Sequence, residues 1–89
     1  MEDFKRDKIV IYAQILGAAK NGALKRDIFS KVMIRYDRLN ERLTELERFD
    51  LLEKNDETYK TTERGSLYLE KYNRVVEVLQ PKLKISEVD

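Results

Sequence analysis

Residues 51–65, LLEKNDETYKTTERG, are the part of the sequence that is most informative about the fold. Two short runs of strand character, LLEK and TYKT, flank a turn-forming Asn-Asp-Glu centre at residues 55–57. This arrangement predicts a small β-hairpin. Thr62 follows as a good helix N-cap, and the helix dipole favours Glu63 in the first turn. The stretch therefore predicts a hairpin that leads directly into a helix.

Three helical segments are predicted before the hairpin. Apolar residues at helical spacing indicate helices over about residues 5–19, 25–31 and 36–49. Asn21-Gly22 supplies a stop after the first helix, because both residues tolerate the left-handed conformation that ends helices. The apolar triplet at 32–34 predicts a tight, buried turn, although a short strand has the same pattern. The positions predicted to be buried are Ile9, Tyr12, Ile15, Leu16, Ala19, Ile28, Phe29, Leu39, Leu43, Leu46 and Phe49.

The last helix is predicted from Thr62 to Gln80, where Pro81 ends or kinks it. The order helix, helix, helix, hairpin, helix is that of a winged helix-turn-helix. The predicted fold class is therefore mainly α with a small β-hairpin: three helices, a wing hairpin and a long C-terminal helix. Within this one domain we expect a winged-helix core at 1–61, a C-terminal dimerisation helix at 62–80 and a frayed tail at 81–89.

The composition argues against several classes of protein. Its 89 residues suffice for one domain with a modest core. Cysteine and histidine are absent, which removes disulfides, thiolate nucleophiles, zinc ligands and the usual general base. No apolar run approaches the roughly 20 residues needed to cross a bilayer, and the N-terminus lacks the order of a signal peptide. We expect a cytoplasmic protein that is not an enzyme and uses neither metal nor cofactor.

Positive charge is concentrated in one part of the chain. The whole sequence has a net charge of +1, but residues 20–42 contain seven cations and three carboxylates, a local net of +4. Lys and Arg neutralise DNA phosphates, while Arg and Asn can hydrogen-bond the edges of guanine and adenine. Arg38 is the leading candidate for a base contact, followed by Arg35 and Asn40. The full set of predicted DNA-binding residues is Lys25, Arg26, Lys31, Arg35, Tyr36, Arg38, Asn40, Arg42, Lys54 and Lys60.

Each arginine has an alternative interpretation, that of a solvated helix face with intrahelical ion pairs. Arg38 and Arg42 each have an acid three residues further along, Glu41 and Glu45 respectively. Carboxylates expected near the same surface repel phosphates and lower the expected affinity; they are Asp37, Glu41, Asp56 and Glu57. We therefore expect moderate, salt-sensitive DNA binding.

The last helix has more apolar surface than three short helices can cover. Excess apolar surface of this kind marks an interface, and two such helices packed antiparallel would bury it. The alternative is that the helix folds back on its own domain. Gly65, in its first turn, is expected to allow close approach to the first helix or the hairpin. The predicted dimer interface consists of Leu69, Tyr72, Val75, Val76 and Leu79.

The chain also resembles a known family over roughly residues 8–79. The most specific element is the run Tyr-Lys-Thr-Thr-Glu-Arg-Gly at residues 59–65. The remaining matches are mainly in hydrophobic spacing: Lys8-Ile9-Val10-Ile11-Tyr12, Ile15-Leu16, Asn21-Gly22, Ile28, Ile34-Arg35-Tyr36, Leu39, Leu43, Leu46 and Leu51-Leu52. These residues resemble the archaeal winged helix-turn-helix family of the ten-kilodalton chromatin-associated DNA-binding protein. Small winged helices also occur in crenarchaeal viruses, so the source is left open between cell and virus.

The resemblance implies a recognition helix at residues 35–49 and a fourth helix that pairs with that of a second chain in an antiparallel coiled coil. Two positions depart from the family pattern. Arg35 stands where a serine or similar cap usually opens the recognition helix, and Asp50 where glycine often precedes the hairpin.

The predicted function is therefore binding of double-stranded DNA by a homodimeric transcription regulator. Its third helix would enter the major groove, and the wing and second helix would contact phosphates. The near-neutral total charge favours a regulator over a DNA-coating chromatin protein. The expected location is the nucleoid, or the host cytoplasm if the protein is viral. The alternative function is a winged-helix interaction or assembly module that does not bind DNA.

Overall fold

A computed structural model describes residues 7–79 as four helices and a three-stranded sheet. The elements are α1 Lys8–Ala18, β1 Ala23–Leu24, α2 Lys25–Val32, α3 Tyr36–Arg48, β2 Leu52–Asn55, β3 Thr58–Thr61 and α4 Glu63–Leu79. This order confirms the predicted fold class, with one strand more than expected. The predicted tail at 81–89, and the predicted helix end at Gln80, lie outside the described residues.

The sheet is antiparallel in the order β1-β3-β2. Asn55 pairs with Thr58 as the last residue of β2, so the wing turn consists of Asp56 and Glu57 and is one residue shorter than the predicted centre at 55–57. Asp56 has a φ of 58°, a left-handed conformation that Asp tolerates better than most residues. The sequence did not predict β1, because two residues are too short to show an alternating pattern.

Helix α1 is the centre of the core. Ile15, Leu16 and Ala19 are fully buried, and they pack with the apolar faces of α2, α3 and the sheet. The predicted burial is confirmed for most positions but is wrong for Ile9 and Phe49, which are exposed. Ile9 lies in the first turn of α1, and Phe49 follows the last residue of α3, so both are at the ends of helices.

The α2–α3 connection is tight, as predicted, but only partly buried. Met33 caps α2 in the left-handed conformation with a φ of 57°, and it is 75% exposed. Burial of the whole triplet was therefore a wrong prediction. Phe29 is also exposed, because Ile28 and Val32 occupy the buried face of α2 and Phe29 is turned about 100° away from Ile28.

Two threonines join the hairpin to the rest of the fold. The Thr61 hydroxyl donates to the Leu16 carbonyl at 2.7 Å, and the Thr61 amide donates to the Ala19 carbonyl at 3.0 Å. The Thr62 hydroxyl donates to the Asp50 carbonyl at 2.8 Å and accepts from the Gly65 amide at 3.0 Å. Thr62 is therefore the predicted N-cap of α4, and it also fixes the α3–β2 turn.

The first turn of α4 approaches the hairpin at Gly65. A Cβ at this position would clash with the Leu51 carbonyl oxygen and would lie 2.6 Å from the Thr61 methyl group. The predicted close approach is therefore to the hairpin side of the fold. Asp50, with a φ of 64°, adopts the left-handed conformation. The family that the sequence resembles often has glycine at this position, which adopts that conformation at no steric cost.

We expect Gly65→Ala to lower the free energy of unfolding by about 1–3 kcal/mol, because the added methyl meets backbone that cannot move aside. Gly17→Ala is the matched control, since a Cβ there meets nothing within 4 Å. That change should stabilise α1 by about 0.5–1 kcal/mol. Urea unfolding of both variants at one protein concentration measures the difference, and equal stabilities would contradict the packing described for Gly65.

Candidate nucleic-acid interface

The surface formed by α2, the following turn and the start of α3 carries most of the predicted DNA-binding residues. Residues 25–38 contain five cations and two carboxylates, a net charge of +3. We call their exposed side chains the helix-turn-helix surface. All five cations are at least partly exposed: Lys25, Arg26, Lys31, Arg35 and Arg38.

The ion pairs on this surface are few. Arg35 pairs with Asp37 at 3.2 Å, and both side chains are exposed, so the pair contributes at most about 1 kcal/mol. Within residues 7–79, Arg26, Lys31 and Arg38 have no carboxylate within ion-pair distance. The predicted partner of Arg38, Glu41, binds Arg42 instead. Arg38 is therefore available to a ligand.

Arg42, one of the predicted DNA-binding residues, is buried and does not lie on this surface. Its side chain is only 10% exposed, and its guanidinium pairs with Glu41 at 3.0 Å and with Glu45 at 3.1 Å. The intrahelical ion pair of the alternative interpretation is present with Glu45, but the helix face at Arg42 is buried and not solvated. The reason is its position on the side of α3 that faces α1, where Tyr12 donates to the same Glu45 oxygen at 2.6 Å.

Glu45 and Tyr12 shift each other's pKa values. The hydrogen bond from Tyr12 holds the pKa of the Glu45 carboxyl below its usual 4.5, and Arg42 and Lys8 lower it further. Burial raises the pKa of Tyr12 to about 12, and the Glu45 carboxylate adds to this effect. Arg42 Nε is buried without a hydrogen-bond partner among the described residues, so the remaining guanidinium nitrogens depend on the two glutamates.

The outward face of α3 is mixed in charge. Asp37, Glu41 and Arg48 are exposed there, while Asn40 is only half-buried and remains accessible. Tyr36, at the start of the helix, is also exposed. Two of the four carboxylates expected near the DNA-binding surface, Asp37 and Glu41, are thus exposed on α3, and cations dominate only at its amino-terminal end.

The two wing cations lie on opposite faces of the hairpin. Lys54 is paired across the strands with buried Tyr59, and its ammonium nitrogen lies 5.6 Å from the centre of that ring. Lys60 is directly opposite exposed Glu53 in the strand register, on the other face of the hairpin. Because side chains alternate along a strand, one flat surface cannot contact both lysines.

A shallow groove opens where α2, α3 and the wing turn converge. Its lining consists of Leu24, Lys25, Arg26, Phe29, Tyr36 and Glu57, and we call it the aromatic groove. The rings of Phe29 and Tyr36 meet edge to face at 5.6 Å, and the Lys25 ammonium lies 5.3 Å from the centre of the Tyr36 ring. Sequence reasoning missed Phe29, although its offset from the Ile28–Val32 stripe was a signal of exposure.

The predicted interface residues on α4 differ in their surroundings. Val75 and Leu79 are exposed, and Tyr72 and Val76 are half-buried. Leu69 packs against the chain's own core, so it contributes little to an outer surface. Leu67 and Val78 are exposed apolar residues that the predicted set did not contain.

The described part of the chain contains neither a membrane-spanning helix nor a cluster of metal ligands. No helix in residues 7–79 is long and apolar enough to span a membrane. No three acidic side chains within the same residues come together as ligands for a metal ion.

A three-helix core, a tight turn between α2 and α3, and a β-hairpin before a long last helix define a winged helix-turn-helix protein. The sequence matches the winged helix-turn-helix family over residues 5–80, and the chain belongs to that family.

The fold is similar to the crystal structure of Sso10a-2, a DNA-binding protein from Sulfolobus solfataricus. The two chains are 25% identical, with a TM-score of 0.70 over 93% of this chain and 96% of the other. Together with the family match, this similarity bears out the resemblance to an archaeal winged helix-turn-helix family. None of the curated proteins is a match.

We expect Glu45→Gln to lower the free energy of unfolding at pH 7 by about 1–3 kcal/mol, because Arg42 loses a charged partner. The pKa of Glu45 is lower in the folded than in the unfolded chain, so its contribution is complete above the unfolded value and disappears as the pH falls through the folded value. The variant should therefore lose less stability than wild type on acidification.

Urea unfolding at pH 7 and at several values below pH 5 measures this effect. Tyr12→Phe, which removes only the hydroxyl, should also weaken the acid dependence. Glu70→Gln is the control, since Glu70 forms only an exposed pair with Arg74 at 3.7 Å. An acid dependence of Glu45→Gln as steep as that of wild type would contradict the role assigned to this carboxylate.

Proposed function

We propose that this chain binds double-stranded DNA as a homodimer and acts as a transcription regulator. The observation that carries the proposal is the helix-turn-helix surface, where five cations and two carboxylates lie on α2, on the start of α3 and in the turn between them, the part of this fold that approaches DNA. The similarity to Sso10a-2, whose structure is described as that of a DNA-binding protein, supports the same function.

The amino-terminal end of α3 is the proposed site of base contacts. Within residues 7–79 the Arg38 guanidinium has no ion-pair partner, and it is suited to the O6 and N7 atoms of guanine, while Asn40 is suited to adenine. Arg35 can join them, because its exposed pair with Asp37 is weak. Tyr36 adds a hydroxyl at the same end. The carboxylates further along α3 would then penalise unsuitable sequences, which favours a regulator over a non-selective coating protein.

Phosphate contacts are proposed for the cations around the base-reading end. Lys25 and Arg26 lie in the first turn of α2, and Lys31 lies in its last turn. Lys54 and Lys60 lie on opposite faces of the hairpin. We therefore expect only one of them to contact phosphates in a given complex. Arg42 has no part in the proposed interface, since it is buried and paired within the fold.

The proposed dimer forms through α4. Val75 and Leu79 expose apolar side chains on the outer part of the helix, with Tyr72 and Val76 beside them. Leu67 and Val78 extend the same apolar surface. Two copies packed along this surface would exclude it from water and fix the distance between the two DNA-reading helices. A two-fold dimer of this kind would favour palindromic or two-site targets.

A second candidate function is that of a protein-interaction module. The exposed carboxylates Asp37 and Glu41 on α3, and Glu57 at the wing turn, support it because they repel phosphates. A partner with basic side chains would complement them. If the protein does not bind a DNA duplex even at low salt, this second function is favoured.

We expect Arg38→Glu to weaken binding of a duplex of about 30 base pairs by at least tenfold, because it removes a base contact and adds a charge that repels phosphate. Fluorescence anisotropy at several salt concentrations measures the affinity. Arg74→Glu is the charge-matched control on the exposed side of α4, and its affinity should change by less than about threefold.

The wild-type dimer should make roughly 6–10 phosphate contacts, which corresponds to a salt slope of about −0.9 per contact. A slope near zero, or equal losses for Arg38→Glu and Arg74→Glu, would contradict binding through the helix-turn-helix surface.

The double substitution Val75→Lys with Leu79→Lys should shift the protein from dimer to monomer in sedimentation equilibrium. Charges at these positions would have to be buried between two helices, which costs several kcal/mol. Asn73→Lys is the control, because Asn73 is exposed on a different face of α4. A dimer that survives the double substitution, or a wild type that is monomeric at micromolar concentration, would argue against the α4 interface.

A further inference from the structure

The aromatic groove has a chemical character that the duplex interface does not require. Its two rings, Phe29 and Tyr36, are 36% and 52% exposed, although Phe ordinarily belongs in the core. They pack on each other and lie outside the core cluster. The ring of Phe29 contributes no hydrogen bond that could position it on a phosphate or a base edge. Its exposed position indicates a ligand with an apolar face.

Cations border the two rings. Lys25 lies over the Tyr36 ring at 5.3 Å, and Arg26 lines the same groove. An exposed cation–π contact is worth about 0.5–1 kcal/mol, so the Lys25 ammonium can leave the ring for a phosphate at little cost. That movement would uncover the ring face for stacking. The groove thus offers aromatic surface and phosphate-binding charge within the same few ångströms.

The groove is also lined by a carboxylate, that of Glu57 in the wing turn. A carboxylate repels phosphate but accepts hydrogen bonds from the exocyclic amino group of cytosine, the same chemistry that lets Glu read this base in a duplex. A ligand that turns its base into the groove and its phosphates toward Lys25 and Arg26 would satisfy both charges. A bare anion would not, because Glu57 would oppose it.

A flat aromatic ligand attached to phosphates is a nucleotide whose base is free to stack. In a duplex both faces of each base are covered by its neighbours, so the groove cannot stack on intact double-stranded DNA. Unpaired bases in a single strand present these faces, and stacking on aromatic side chains is worth about 1–3 kcal/mol per base.

We propose that the aromatic groove is a second binding site, specific for single-stranded nucleic acid, in which an unpaired base stacks on Phe29 and Tyr36 and the adjoining phosphates contact Lys25 and Arg26. The groove shares Lys25, Arg26 and Tyr36 with the proposed duplex interface, but Phe29 belongs to the groove alone. The single-strand site stands on the geometry of the groove and does not require the duplex function.

The test compares a fluorescein-labelled single strand of about 15 nucleotides, without self-complementarity, with a duplex of the same sequence. Phe29→Leu keeps the apolar packing on Tyr36 but removes the stacking face, and Phe29→Tyr keeps the ring. In fluorescence anisotropy we expect Phe29→Leu to weaken single-strand binding by about tenfold and Phe29→Tyr to change it by less than about twofold. Duplex affinity should stay within about twofold of wild type for both variants.

A spectroscopic signature separates stacking from a change in fold. The chain contains no tryptophan, so Phe29→Trp introduces a single indole at the groove. Its emission should be quenched much more strongly by the single strand than by the duplex, because only an unpaired base can stack on the indole. Circular dichroism of each variant reports whether it is folded.

The outcomes distinguish this site from the duplex function. Loss of single-strand affinity in folded Phe29→Leu, with duplex affinity kept, supports the groove. Equal single-strand affinities for wild type and Phe29→Leu, or no binding of the single strand by wild type, overturn it. A parallel loss of duplex binding in Phe29→Leu also overturns it, because Phe29 would then act through the shared surface. Binding of the single strand without binding of the duplex supports the groove as a single-strand site and contradicts the proposed binding of double-stranded DNA.

Discussion

The hydrogen bonds of Thr61 and Thr62 are the constraint on which the rest of the structure depends. Thr61 ties the end of the wing to the last turn of α1, and Thr62 ties the α3–β2 turn to the start of α4. The end of β3, the start of α4, α1 and the α3–β2 turn therefore meet at two adjacent residues. Gly65 completes the junction, because its missing side chain lets α4 lie against the Leu51 carbonyl. The orientation of the wing relative to the helices follows from this junction.

The parts of the fold that depend on local chemistry were predictable. The hairpin, the Thr62 cap and the close approach at Gly65 follow from turn propensity, hydrogen-bonding capacity and the size of one residue. Strand β1 was not predictable, because two residues carry no periodic signal and the strand exists only through its pairing with β3. The exposure of Phe49 was also hidden, since hydrophobicity predicts burial without indicating how far the core extends.

The residues of the candidate site were likewise predictable only in part. Charge counting located the cations of α2 and of the start of α3, because they need only be exposed. It failed for Arg42, whose burial follows from the approach of Tyr12 on α1 to Glu45 on α3, a contact between residues 33 positions apart. Lys54 and Lys60 were grouped because they are close in sequence, whereas strand alternation separates them. The location of a charge in the sequence is thus informative on a helix end and less so beside a packed face or along a strand.

Strand β1 has a consequence for the thermodynamics of binding. Leu24 ends the strand and is also the N-cap residue of α2, so no flexible residue separates the sheet from the helix. Ala23 pairs with Tyr59 and Leu24 with Thr58, which joins the wing directly to the amino terminus of α2. A flexible wing would lose conformational entropy whenever a ligand contacted it together with α2. Here that entropy is lost during folding, so a ligand that spans both elements meets a preorganised surface.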